Sequence, residues 1–137
     1  MTTAWHHLPN AAHIDRILAD LKLNFNNWSA VWHSLISRIK DFDAGFDVAD
    51  DKIDEMGNTK EWDALWDAVY GVAEQTYWYG AREAARHSIM SLIAWPESGD
   101  YLSLPVDQVR VMAELGDHRA RLMLPAVMAF NMYRKDV

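Results

Sequence analysis

Nine carboxylates crowd the 23 residues from Asp41 to Asp63, and acids at that density are tested first as a cation site. A calcium loop of the EF-hand type draws ligands from positions 1, 3, 5 and 7, the last through its carbonyl, with glycine at 6 and glutamate at 12. Asp41, Asp43 and Asp47 fall at positions 1, 3 and 7, but Phe46 takes the glycine place and Lys52 the glutamate place. The pattern fails. Glu83 and His87 lie one helical turn apart, whereas a di-iron helix uses Glu-x-x-His and needs a second copy, which the chain lacks. His13 with Asp15 is no better, because residues two apart on a helix diverge. His6 and His7 offer only adventitious metal binding.

Nucleophilic chemistry is equally unsupported. The chain has no cysteine, which removes disulfides, thiol catalysis and thiolate zinc sites. Ser29, Ser34, Ser37, Ser88, Ser91, Ser98 and Ser103 stand in no nucleophile-elbow context, and there is no glycine-rich phosphate loop. These observations point away from an enzyme and imply no cofactor and no metal. The alternative they leave is a pocket between helices, on which His33, His87, Glu83 and the tryptophans would converge.

The elements that must position these residues are helical. Glu61–Trp95 closes the long proline-free run between Pro9 and Pro96 and holds four of the seven tryptophans. At 100° per residue Asp63, Asp67, Glu74, Arg82 and Arg86 gather within roughly 140°, a solvated face. Trp62, Leu65, Trp66, Val69, Val72 and Tyr77 lie largely opposite and are expected in the core. From Ile89 onward apolar residues point in every direction, so that end is expected to be buried all round. Asn58 and Glu61 form a capping box at the start, and Trp95-Pro96 ends the run. One straight helix of this length would span roughly 50 Å, against a radius of gyration of about 14 Å for a domain of this size. A bend or break is therefore expected at Gly71 or near Gly80. Trp78 falls at the angle of Asp67 and Glu74, one turn from Glu74 and one from Arg82. It is either covered by another segment or an exposed interface anchor.

Before this stretch, Asn10 is placed as an N-cap, with Leu8 stapling against Ile14. An amphipathic helix then runs to about Leu23. Asn24–Asn27 is expected to break it, and a second helix to run from Trp28 to Lys40. Residues 41–60 read as an acidic connection with a short helix near Val48–Met56. Beyond Pro96–Leu104, a turn, Pro105 opens a helix that Gly116 stops, and Asp117 caps the next. Pro125 is expected to kink or restart that last helix. Its apolar composition also argues against a helix–turn–helix, whose recognition helix must offer polar groups to bases. No strand-period alternation occurs. The expected fold is all-α: one domain, a compact bundle of five to seven helices, with a bent or broken long central helix and a C-terminal helical hairpin.

Net charge is −7, and residues 41–63 account for it, with nine acids against two lysines; elsewhere eleven acids and eleven basic residues cancel. Nucleic acid is thus not expected as a direct partner, because phosphate binding needs a basic surface. The N-terminus lacks a signal-peptide pattern and no run of about 18 apolar residues exists, so a cytoplasmic protein without a membrane partner is expected.

Leu115, Gly116, Asp117, Arg119 and Ala120 resemble the Leu-Gly-Asp-x-Arg-Ala turn of HEAT-type helical hairpins, over about one hairpin and without a second copy. Across most of the chain, LPNAAHIDRIL (Leu8–Leu18), SLIAW (Ser91–Trp95) and ELGDHRARLMLPAV (Glu114–Val127) resemble a group of small Ala- and Trp-rich helical proteins of tailed phages and prophages. That resemblance implies an accessory protein made in a bacterial cytoplasm during infection, with no activity carried to any residue. The function expected is a non-catalytic binding or inhibitor-type protein that occupies a bacterial host protein's surface. Its candidate contacts are Asp41, Asp43, Asp47, Asp50, Asp51, Asp54 and Glu55, with mimicry of DNA as a special case, and the patch of Glu74, Trp78 and Arg82. The alternatives are a self-assembling structural protein, which would be a homo-oligomer, and a small enzyme or small-ligand-binding protein.

Overall fold

The computed structural model describes residues 4–72 and 79–131. Among them are six α-helices, one 3₁₀ helix and no strand: α1 (Ala11–Arg38), α2 (Phe46–Glu55), α3 (Thr59–Val72), α4 (Tyr79–Ala94), the 3₁₀ helix Pro96–Ser103, α5 (Val106–Glu114) and α6 (His118–Asn131). The all-α bundle expected from periodicity is the fold observed. No helix among the described residues is long and apolar enough to cross a membrane.

The hub is α4, which packs against α1, α2, α3, α6 and the 3₁₀ helix. Its composition allows this. Ala81, Ala84, Ala85, Ser88 and Ser91 are fully covered together with Ile89 and Met90, and small side chains let neighbouring backbones come close. Gly80 shows how close: a Cβ there would lie 3.1 Å from Trp32 Cδ1 and 3.3 Å from Ser29 Oγ. The long central stretch is indeed broken. Arg86 lies 3.1 Å over the Trp66 ring, while twenty residues of straight helix would separate them by about 30 Å. Residues 73–78 include Glu74, Tyr77 and Trp78, and what was expected of those three lies outside the described residues.

One local expectation holds and three are corrected. First, the expected break falls on Asn24, which leaves helical geometry (φ −136°, ψ 36°), so that Ala11–Arg38 is two helical stretches meeting at a kink. Asp20 braces the kink by accepting from Asn24 Nδ2 at 3.0 Å and from Trp28 Nε1 at 2.7 Å. The second bond also satisfies an indole N–H on a side chain that is otherwise wholly buried. Second, Asn10 precedes α1 but makes no capping bond. Its Nδ2 instead donates to Leu92 O and Pro96 O, both at 2.8 Å, and so ties the start of α1 to the end of α4. Third, Arg82 and Arg86 do not lie on a solvated face: Arg82 is 9% exposed, and the Arg86 side chain 13%. α3 folds back over that side of α4, and the guanidinium groups stack on its aromatic rings. Fourth, Pro105 is the residue before α5 rather than its first.

The C-terminal hairpin follows its sequence closely. Gly116 has φ +99°, and Gly116 N bonds Ala113 O while Asp117 N bonds Met112 O, the paired bonds of a glycine-terminated helix. Asp117 Oδ1 then accepts from Arg119 N at 2.9 Å and Ala120 N at 3.2 Å, and Oδ2 takes the Tyr101 hydroxyl at 2.9 Å. Pro125 sits inside α6, where its ring prevents regular hydrogen bonding. Ser88 of α4 repairs the gap: its Oγ accepts from Ala126 N and donates to Leu122 O, each at 3.1 Å. Those are the two groups an unbroken helix would join to each other.

Candidate functional site

The acidic segment lies where α1 hands over to α2. Asp41 adopts a left-handed backbone (φ 56°), and its carbonyl accepts from Arg121 Nη1 at 3.1 Å, which fixes the corner to α6. Phe42 is buried. Through α2 the pattern is amphipathic, with Ala49 and Ile53 buried and Asp47, Asp50, Asp51, Asp54 and Glu55 exposed. Asp41 and Asp43 are exposed beside them. Among the described residues none of these seven carboxylates takes part in an ion pair. Elsewhere some acids are paired, Asp15 with His6, Glu83 with Arg86, Glu97 with Arg119 and Asp107 with Arg110, while within the described structure Asp63, Asp67, Asp100 and Glu114 are not.

Of the second expected patch, Arg82 alone falls among the described residues. Arg82 sits with its guanidinium 4.5 Å from the Tyr70 ring and 5.9 Å from that of Tyr79. Glu74 and Trp78 lie outside the described residues.

A third location is a groove of about 550 Å³ between α1, the α1–α2 corner and α4. Its deepest residues are Trp32 and His87, 5% and 2% exposed. Phe46, Glu83 and Arg86 form the walls, and Ile36, Asp43, Asp47 and Tyr79 the rim. Tyr79, Glu83, Arg86 and His87 come from one face of α4, at spacing i, i+4, i+7, i+8. His87 is enclosed by aromatic rings: Phe42 stacks on it at 5.5 Å and 5°, Trp32 meets it edge-on at 5.0 Å, and Phe46 tilts against it at 5.4 Å.

Burial sets the chemistry of this groove. The His87 imidazolium is disfavoured chiefly by desolvation, which lowers its pKa to about 4. His87 Nδ1 lies 2.7 Å from Glu83 O, and a carbonyl only accepts, so Nδ1 carries the proton. Nε2 is then a lone-pair acceptor, buried and without a hydrogen-bonding partner among the described residues. Arg86 stacks on Trp66, bonds Glu83 Oε2 and has its pKa lowered by burial, with Glu83 opposing; its Nε also lacks a partner. The Tyr79 phenol is raised, first by the Glu83 charge and then by burial. The groove thus holds one neutral imidazole acceptor, one compensated ion pair and three aromatic side chains. No three His, Asp or Glu side chains among the described residues converge on a point where a metal ion would sit.

Sequence reasoning named Glu83, His87 and the tryptophans as a potential pocket, and Glu83, His87 and Trp32 do meet. His33 does not line the groove; its Nε2 lies beside Gly80. Tyr79, Arg86 and Phe46 were missed. The polar stripe at Tyr79, Glu83, Arg86 and His87 was the available signal. Compared with protein-family models, with curated proteins and with solved structures, the chain matches none.

Proposed function

We propose that this is a non-catalytic binding protein that docks its acidic α2 face on a basic surface of a bacterial host protein. One observation carries the reading: seven exposed carboxylates in a fifteen-residue stretch, Asp41–Glu55, have no ion pair within the described structure. Charge left uncompensated on one face steers association and sets register more than it adds affinity. Ala49 and Ile53 anchor the helix from beneath, and Val48 and Met56, 44% and 43% exposed, supply apolar contact among the acids. In the special case of DNA mimicry, Asp47, Asp50, Asp51 and Asp54 stand in for phosphates. The likeness to phage accessory proteins adds a setting, the cytoplasm of an infected bacterium.

Self-assembly draws no support from the tryptophans. Among the described residues Trp28, Trp32 and Trp62 are buried, and Trp5, Trp66 and Trp95 are half-buried, so much of their apolar area is used inside the fold.

The test is a pull-down from bacterial lysate at low and moderate salt, comparing wild type with Asp50→Asn/Asp51→Asn/Asp54→Asn, read by mass spectrometry. A host protein retained by wild type, lost with the triple variant and weakened by salt is the expected result. Equal recovery by both proteins, with equal salt dependence, refutes docking through α2. Trp78→Ala in parallel reports on the other candidate patch.

A further inference from the structure

The groove between α1, the α1–α2 corner and α4 has properties that docking through the outer face of α2 does not require. Its volume of about 550 Å³ lies within the roughly 300–1,000 Å³ of small-molecule sites. Its polar lining is acceptor-rich: His87 Nε2, the Glu83 carboxylate and the rim carboxylates of Asp43 and Asp47, beside the donors Arg86 Nε and the Trp32 indole. Glu83 and Arg86 compensate each other, so Asp43 and Asp47 leave the lining net negative. The walls are the aromatic faces of Trp32, Phe46 and Tyr79.

His87 is the observation that points to a ligand. A buried acceptor without a donor costs about 1–3 kcal/mol, and this one is on a side chain 2% exposed. His87 lines the groove, and with Nδ1 bonded to Glu83 O on its own helix the lone pair left over is that of Nε2. Nothing in the described protein donates to it.

We infer that the groove binds an organic cation with N–H donors, a guanidinium or primary ammonium on a short alkyl stem. One N–H meets His87 Nε2, the remaining donors meet Glu83, Asp43 and Asp47, and the cation rests against the aromatic walls. An inorganic cation fits poorly, since the lone pair and carboxylates do not converge as a ligand set. An anion is repelled by the rim. Such a cation has two sources, a free amine or an arginine or lysine side chain of another protein. The inference stands apart from α2 docking, because a free amine fills the groove without any partner.

The experiment is NMR titration of the ¹³C,¹⁵N-labelled full chain with agmatine and, separately, with N-acetyl-arginine-methylamide, following His87 ring and Trp32 indole signals. Saturable shifts with at least one probe are expected. Tighter binding of agmatine marks a free amine as the source, and tighter binding of the arginine amide marks a protein side chain. Glu83→Gln and His87→Phe are each expected to weaken binding by about tenfold or more, the usual loss when one hydrogen bond to a charged group is removed. Asp47→Asn, a change at an exposed position, is expected to weaken it by severalfold and keeps the test valid where His87→Phe fails to fold. The neutral analogue N-butylurea is expected not to bind. Absence of saturable shifts at about 10 mM of either probe, equal affinity of the urea, or affinity unchanged in both Glu83→Gln and Asp47→Asn overturns the inference. Loss of host-protein capture on neutralising Asp50, Asp51 and Asp54 bears only on docking, since none of the three lines the groove.

Discussion

His87 makes folding stability depend on pH in a window set by its burial. In the unfolded chain the imidazole titrates near 6.5 and in the folded protein near 4. Below pH 6.5 the unfolded chain therefore binds a proton that the native state refuses. Stability is fully present above pH 6.5, falls as pH drops towards 4, and levels off below that. Each unit of difference corresponds to about 1.4 kcal/mol, so at pH 4.5 the lost stability is about 2–3 kcal/mol. That is a large fraction of the 5–15 kcal/mol typical of a domain. The groups facing His87 are Glu83 and Arg86 on α4 and Asp43 from the α1–α2 corner; Trp32 and Phe46 are uncharged. Carboxylates titrate in the same range, so the measurement is a comparison with His87→Phe, which keeps a ring in the aromatic cage. Urea unfolding followed by tryptophan fluorescence, from about pH 7.5 to about pH 4.5, should show wild type losing about 2–3 kcal/mol more than the variant. Parallel profiles for the two proteins refute a buried neutral His87. So does an NMR titration of His87 in the native protein with a midpoint near 6.5.

Two further substitutions test contacts that hold the bundle together. Ser88→Ala removes the hydroxyl that bridges Ala126 N and Leu122 O, leaving two buried backbone groups to find each other beside Pro125. A loss of about 1–3 kcal/mol in urea unfolding is expected, and a loss under about 0.5 kcal/mol would show that α6 closes its own gap. Asn10→Ala releases two buried carbonyls, Leu92 O and Pro96 O, and should cost a similar amount. Asn10→Ser, which restores a helix cap without reaching both carbonyls, should recover little of it, and full recovery would reinstate capping as the role of Asn10.

What was legible in the sequence was whatever a few neighbouring residues decide among themselves. Gly116 and Asp117 end one helix and begin another through bonds within eight residues, so their spelling suffices. The burial of Ile89, Met90, Leu92 and Ile93 follows from composition alone. Features decided by distant chain were not legible. Asn10 has the identity of a cap, but its amide is taken by carbonyls more than eighty residues away. Arg82 and Arg86 share a helical face with acids, which says nothing about whether α3 folds over that face. Asn24 did disturb α1; Asp20 and Trp28, four residues to either side, turned the disturbance into a braced kink. The groove follows the same division. Its α4 stripe is visible as a spacing, while Trp32 and Phe46 arrive from elements that only the fold brings near.

The exposed acids of α2 have a consequence for the free protein. Asp47 and Asp51, Asp50 and Asp54, and Asp51 and Glu55 stand four residues apart on one helix, where like charges repel by a few tenths of a kcal/mol each. Beneath them α2 has only Ala49 and Ile53 fully buried, against thirteen buried residues in α4. With so little apolar contact and so much internal repulsion, α2 is inclined to open locally without global unfolding. Added salt quiets that repulsion and firms the helix, while weakening the attraction of a basic partner. The surface proposed for recognition is therefore also one held by little apolar contact, and a bound cationic partner would act on it as a local stabiliser.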